Sequence, residues 1–216
     1  SIHNPDRIID SYRIGDAEVY VVDREGFGYY MVNEPDLNDN EYKALETVFD
    51  EIVKMIPGRV REPDKFIDDT LSKLGEIKGF KEVISESKSK LHYYIKRDMF
   101  GYERLDVLFR DDDIEEISCT SYESPVTIIH RKYGEYDWME TNIGFYDIDD
   151  MNRYVRRLSQ ISGKNVTTAH PFIDAISPTG DRVAVTFQSE ITLPGPTIAV
   201  RKFPKNPLTI TQLLKL

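Results

Sequence analysis

Two arginines on alternating segments have the types and spacing best suited to chemistry. In Arg182-Val183-Ala184-Val185-Thr186-Phe187-Gln188, the residues Val183, Val185 and Phe187 share one face of an extended chain. Arg182 leaves on the other face with Ala184, Thr186 and Gln188, because successive side chains of a strand point to opposite sides. In Thr197-Ile198-Ala199-Val200-Arg201, Ile198 and Val200 alternate against Ala199 and Arg201 in the same way. If the two segments are neighbouring strands, two guanidinium groups project from the small-residue side of one sheet. A planar guanidinium suits multidentate contact with phosphate. The pattern alone favours two ordinary ion-paired strand arginines over a phosphate site.

Other segments carry less. Ile161-Ser162-Gly163-Lys164-Asn165 is the nearest approach to a phosphate loop. That loop needs G-x-x-x-x-G-K-[ST], with glycines that bare backbone N–H groups and a hydroxyl that holds Mg²⁺. Leu158 stands at the leading glycine and Asn165 at the hydroxyl, so the segment reads as a helix C-cap. Asp111-Asp112-Asp113 and Asp147/Asp149/Asp150 lack the central glycine and terminal glutamate of a calcium loop, and helix capping accounts for them better. The four histidines show no ligand spacing, and no metal site is expected. Cys119, alternating with Ile117, reads as a small core residue. His130 and His170 have no Ser, Cys or Asp arrangement around them that would make a nucleophile, so packing or surface roles are expected. Arg153, Arg156 and Arg157 form the polar face of a helix, solvated or docked on an acidic neighbour.

The elements that must position the arginines form an α+β scaffold. The chain opens with a β-hairpin, Ala17–Val22 and Tyr29–Val32, turned at Glu25-Gly26-Phe27-Gly28. A helix follows, capped by Asn38 or Asp39, with Tyr42, Leu45, Val48, Phe49, Ile52, Val53 and Ile56 as its apolar stripe. A second helix starts at Pro63 and stops at Gly75. A third runs from about Phe80 to Met99, and its middle, Ser85–Lys90, is read as a solvated section. After Gly101 the grammar shortens. A short helix spans Tyr102–Phe109, strands follow at Ile114–Cys119, Val126–Arg131 and Glu135–Glu140, and Met151, Tyr154, Val155, Leu158 and Ile161 mark an amphipathic helix. The arginine strands come next, and Thr209–Leu216 reads as the start of a helix.

Composition excludes several classes. The 216 residues are 40% hydrophobic and 31% charged, which excludes a disordered tail and leaves no uncharged run long enough to cross a bilayer. A net charge of −10 disfavours a nucleic-acid partner, and a basic patch built from Arg131, Lys132 and the arginines at 153–157 is the weakest functional reading. One cysteine cannot make an internal disulfide, so a cytoplasmic location is expected.

Longer motifs join these pieces. Pro171-Phe-Ile-Asp174-Ala175-Ile-Ser-Pro178-Thr-Gly180-Asp-Arg182-Val, then Gly195-Pro196-Thr197-Ile-Ala-Val-Arg201-Lys202-Phe203, then Pro207-Leu208-Thr209 resembles the secretion ATPase superfamily. These are the motors of type II and type IV secretion, type IV pili and the archaellum. Ile114-Glu-Glu-Ile117-Ser-Cys119, Tyr136-Asp-Trp138-Met-Glu-Thr141-Asn142-Ile143 and Ser162-Gly163-Lys164 look like the archaeal branch. The resemblance is detailed from Tyr102 onward and loose over the first hundred residues. Ser177 departs from it, standing where the family often has an apolar residue.

The resemblance implies an N-terminal region cut before a RecA-like motor domain. It divides the chain into a hairpin and helical subdomain at 1–100, a PAS-like α/β domain at 101–206 and a linker at 207–216. It implies an ATPase in the full-length protein, using ATP and Mg²⁺, whereas this chain lacks the Walker A loop and would be inactive alone with no cofactor tightly bound. Arg182 and Arg201 match the arginines that reach the γ-phosphate, and Pro207 and Leu208 match residues that wall the adenine. The implied partners are the chain's own motor domain, neighbouring subunits of a homohexamer, and a polytopic membrane platform protein docked on the first hundred residues. The implied location is the cytoplasmic face of the cell membrane. A stand-alone PAS-like adaptor, binding a protein or small ligand, is the alternative from a different class.

Overall fold

A computed structural model describes residues 6–55, 58, 60–77, 79–187 and 195–204. These fall into two compact units. The larger draws on Ser1–Tyr12, Val19–Val32 and Val107–Leu216, and the smaller on Arg13–Glu18 and Asn33–Asp106. The chain passes into the larger unit after Asp106, a few residues beyond the change of grammar at Gly101. It also crosses between units within the N-terminal strands.

The described residues, mostly of the larger unit, build one mixed sheet. Its strands are β1 (Arg7–Ile14), β2 (Ala17–Arg24), β3 (Phe27–Asn33), β4 (Ile114–Cys119), β5 (Thr127–His130), β6 (Met139–Thr141), β7 (Phe172–Ile176), β8 (Arg182–Thr186) and β9 (Thr197–Arg201). Their order is β1-β2-β3-β6-β5-β4-β9-β8-β7. β3 and β6 run parallel, and β4 through β9 otherwise pair antiparallel. The α+β reading therefore holds. The first hairpin turns more tightly than expected: Glu25 and Gly26 both take positive φ (52° and 88°), and Phe27 and Gly28 already belong to β3. Gly28 serves another purpose, since a Cβ there would fall 2.6 Å from Cγ of Tyr136.

One face of β4, β9, β8 and β7 is covered. Ile117, Ile198, Val200, Val183, Val185, Ile173 and Ala175 are buried. An α-helix at Ile148–Ile161 contacts β8 and buries Met151, Tyr154, Val155 and Leu158, the stripe expected from its spacing. Each such side chain contributes roughly 1.5–3 kcal/mol on leaving water. Asp147 caps this helix by accepting a 2.8 Å bond from the Asp150 N–H. Gly163, at φ 73°, ends it.

Two strands have no counterpart in the sequence reading. β1 buries none of its residues fully, and its partly buried positions, Asp10, Tyr12 and Ile14, do not carry a uniformly apolar alternation. β7 alternates cleanly but lies between Pro171 and Pro178 with Asp174 at its centre. The strand expected at Glu135–Glu140 is a correction. Arg131–Tyr136 winds as a 3₁₀ segment, Asp137 takes φ 55°, and only Met139–Thr141 pairs.

The smaller unit packs three helices, at Asp39–Met55, Pro63–Gly75 and Lys81–Ile95, around Leu45, Val48, Ile52, Ile67, Leu71 and Leu91. Asn38 and Glu41 form a reciprocal cap on the first. The Asn38 side chain accepts from the Asn40 and Glu41 N–H groups at 3.0 and 3.1 Å, and Glu41 accepts from the Asn38 N–H at 2.7 Å. The buried stripe is rotated from the expected one: Glu41 and Ala44 are inside, whereas Tyr42 and Val53 are exposed. The Ser85–Lys90 section is not uniformly solvated. Ser87 is buried at a kink in the third helix and donates to Glu41, which Lys90 also reaches at 3.2 Å. The Ser87 hydroxyl is the main reason the Glu41 carboxyl is held below its usual range.

Candidate functional site

The turn between β7 and β8 sets the position of the arginines. Gly180 takes φ 91°, its N–H donates to the Ser177 carbonyl at 2.9 Å, and the Ser177 N–H donates to the Asp181 carbonyl at 2.8 Å. Ser177, where an apolar residue was the familiar pattern, is buried and accepts from the Asp181 N–H at 3.1 Å. Asp181 then accepts from the Phe203 N–H at 2.8 Å, which ties the end of β9 to the turn that begins β8.

The registers place the predicted pair together. Arg182 lies directly opposite Arg201, Ala184 opposite Ala199 and Thr186 opposite Thr197. On the flanks, Glu116 of β4 lies opposite Arg201 and Asp174 of β7 opposite Ala184. Both arginines project from the uncovered face, with side chains 66% and 77% exposed. Each is also ion-paired. Arg182 donates from Nε and Nη2 to the two oxygens of Asp174 at 3.0 and 2.6 Å. Arg201 donates from Nε and Nη2 to Oε1 of Glu116 at 3.0 and 2.6 Å. The two forks thus stand adjacent on one face, and each is ion-paired to a carboxylate, as the ordinary reading expects. Arg182 lowers the proton affinity of the Asp174 carboxyl, and Asp174 raises that of Arg182.

Around them is an open groove of about 490 Å³, with Ser118, Ala184 and Ala199 on its floor and Trp138 and Phe172 at its margins. Small floor residues leave room for a ligand to lie against the sheet. The exposed rings supply apolar surface beside the charges.

Other sequence candidates resolve differently. Pro207 and Leu208, with the segment at 209–216, lie outside the described residues. The backbone N–H groups of Gly163 and Lys164 donate to the Gln160 and Ser159 carbonyls, both at 2.9 Å, so neither is bare for phosphate. Cys119 is buried, and burial pushes its thiol up, which disfavours the nucleophilic form. Arg156 stacks over Phe187 at 4.5 Å, and Arg153 pairs with Asp150 at 3.2 Å.

Asp111 is the residue whose role sequence reasoning missed. It makes the expected turn contact, its Oδ1 accepting from the Asp113 N–H at 2.9 Å, but it is also buried, with its Oδ2 accepting from the Tyr12 and Tyr30 hydroxyls at 2.6 and 2.7 Å. His130, fully buried, contacts the Tyr12 hydroxyl through Nε2 at 3.1 Å and accepts from the Lys132 N–H through Nδ1 at 3.2 Å. With Nδ1 accepting, the neutral ring carries its proton on Nε2 and donates toward Tyr12. Asp111, Asp113 and His130 bring potential ligand atoms within 4.8 Å of one another, but hydrogen bonds already engage the carboxylate and the ring. No sequence signal joins these residues, because Tyr12 and Tyr30 are 99 and 81 positions from Asp111.

No protein-family model matches the chain. Over 191 residues it is 31% identical to the uncharacterized protein MJ1288 of Methanocaldococcus jannaschii, a match covering 86% of this chain and 75% of that protein. The chain belongs to the MJ1288 family. Two longer proteins of the same organism are also similar to this member of the MJ1288 family. MJ0781 is 29% identical over 219 residues, 99% of this chain and 29% of its own length. MJ0900 is 28% identical over 133 residues, 62% of this chain and 23% of its own length. The chain thus spans under a third of these two relatives. Among solved structures, the VirB11 ATPase from the Brucella suis type IV secretion system, crystallised with sulphate, aligns with a TM-score of 0.43 and 16% identity, over 54% of this chain and 35% of that one. No described helix is long and apolar enough to cross a membrane.

Proposed function

We propose that this chain is the N-terminal region of a secretion-type ATPase, and that Arg182 and Arg201 contact the polyphosphate of ATP held by a motor domain elsewhere in the protein. The observation that carries the reading is the register: two arginines placed opposite each other on adjacent strands, on an uncovered face with a floor of small residues. The resemblance of 171–203 to the secretion ATPases supplies the family context. The lengths of MJ0781 and MJ0900, of which this chain matches 29% and 23%, fit a region that works within a larger protein.

The chemistry suits these residues. Phosphoryl transfer spreads negative charge over phosphate oxygens, and an exposed guanidinium aimed at them stabilises that charge. No phosphate loop stands among the described residues, so ATP and Mg²⁺ would be held mainly by the motor domain, with Pro207 and Leu208 beside the adenine. Neighbouring subunits of a homohexamer and a membrane platform protein are the proposed partners, with the first hundred residues as the platform's docking region and the cytoplasmic face of the membrane as the location. In the full-length protein, Arg182→Ala or Arg201→Ala should lower kcat at least ~10³-fold while leaving assembly intact, the scale seen when an arginine finger is lost. Turnover at the parent level in both variants overturns the assignment.

One observation favours a second reading. MJ1288 is matched over 75% of its length, which leaves a quarter of it outside the match. A stand-alone adaptor, using the same face to bind a partner or small anionic ligand, suits that length better. Both arginine variants would then lose ligand binding with no ATP turnover to affect.

A further inference from the structure

We propose that Asp174 and Glu116 form a carboxylate latch over the arginine face, so that a polyphosphate engages Arg182 and Arg201 only by displacing both carboxylates. The inference rests on the polyphosphate reading of the face given above and adds what regulates it. Across four adjacent strands the charged side chains stand in the order Asp174, Arg182, Arg201, Glu116. Two like charges directly opposite each other on neighbouring strands repel. Each fork is instead turned away from the other, toward the carboxylate on its own flank, and the row is neutral.

The two partners of each pair differ in exposure. The arginine side chains are 66% and 77% exposed, whereas Asp174 and Glu116 are 35% and 27% exposed. The guanidinium is therefore the member free to swing, and the carboxylate the member that stays. In both pairs the carboxylate occupies the Nε–Nη2 edge, an edge through which a guanidinium makes bidentate contact with phosphate. Solvent-exposed pairs of this kind are weak, so the latch holds against dilute monovalent anions and opens to a multiply charged one. Once the arginines turn inward, a polyphosphate between them relieves their mutual repulsion, and the row changes from neutral to a ligand site.

The test uses this chain, inorganic triphosphate and low-salt buffer. Binding is followed by calorimetry and by the emission of Trp138, the single tryptophan and a margin of the groove. Asp174→Asn and Glu116→Gln should each tighten triphosphate binding by roughly 3- to 10-fold, and the double variant by more than either, with the gain shrinking in 0.5 M salt as exposed charges are screened. Arg182→Ala with Arg201→Ala should abolish binding. Unfolding midpoints measured alongside separate a change of affinity from a loss of fold. If triphosphate binds the parent and needs the arginines, but neither carboxylate variant binds more tightly, the latch is overturned and the polyphosphate reading survives. If no variant, the carboxylate variants included, binds triphosphate, the latch is overturned while the reading of ATP held by a motor domain stands; if binding persists without both arginines, both inferences fall.

Discussion

The larger unit uses nearly the same chemical groups in two opposite ways. On the uncovered sheet face, Asp174 and Glu116 meet arginines in water, in pairs that are more than half exposed on the arginine side. Inside, Asp111 meets Tyr12, Tyr30 and, through Tyr12, His130, with Asp111, Tyr30 and His130 almost inaccessible. Exposed carboxylates can exchange one partner for another, because water stabilises them in between. A buried carboxylate cannot, because every missing hydrogen bond is a full desolvation penalty. The first arrangement suits reversible contact with a ligand, and the second fixes the strands that carry it.

The comparison can be broken most forcefully at its buried end. Asp111→Ala leaves two tyrosine hydroxyls without their acceptor, at roughly 1–3 kcal/mol each, and should destabilise the protein by about 3 kcal/mol in chemical denaturation. Tyr30→Phe, which removes one donor and leaves the Asp111 carboxylate a second, should cost about 1 kcal/mol. A loss below about 0.5 kcal/mol for Asp111→Ala would mean that the network is not structural.

A pH series sharpens the same contrast. Burial, outweighing the nearby Asp111 and Asp113 charges, lowers the proton affinity of His130 below its ordinary value of 6.5. The unfolded chain then binds the extra proton first, so stability should fall as pH drops below about 6.5 and level off beneath the depressed folded value. His130→Gln should flatten that part of the profile. Asp174, also lowered, begins to give up its contribution only as pH falls below about 3.8, well after the His130 loss has begun. At the exposed end the expected effect is the smallest. Arg182→Ala and Arg201→Ala should leave the unfolding midpoint unchanged within error, since exposed pairs contribute little to stability.

Legibility in the sequence followed burial. β8 and β9 were readable because one face of each is covered and the other open, which writes period-two alternation into the residues. The helix at Ile148–Ile161 was readable for the corresponding reason. β1 was not, since none of it is fully buried and a charged residue, Asp10, stands at one of its partly buried positions, and β7 was hidden by the prolines around it. The first helix misled because Tyr42 and Val53 are apolar yet exposed, while Glu41 is polar yet buried under Ser87 and Lys90. The arginine pair was visible as a pattern, but its carboxylate partners lie on other strands, 8 and 85 positions away. Asp111 was hidden more thoroughly: three consecutive aspartates look like a solvated turn, and only the fold reveals that the first of them faces inward.

The tether between Asp181 and the Phe203 N–H has a mechanical consequence. β9 is flanked on both sides by paired strands, and immediately after Arg201 the chain is gripped again, where the Lys202 N–H donates to the Glu115 carbonyl at 2.8 Å and the Lys202 ammonium donates to the Leu108 and Asp111 carbonyls. A pull along the chain beyond Phe203 therefore loads these clamps in shear, together with both ladders, before it can slide Arg201 past Arg182. The spacing of the two forks is insulated from traction, and movement of the chain that follows is passed to the sheet as a rigid body.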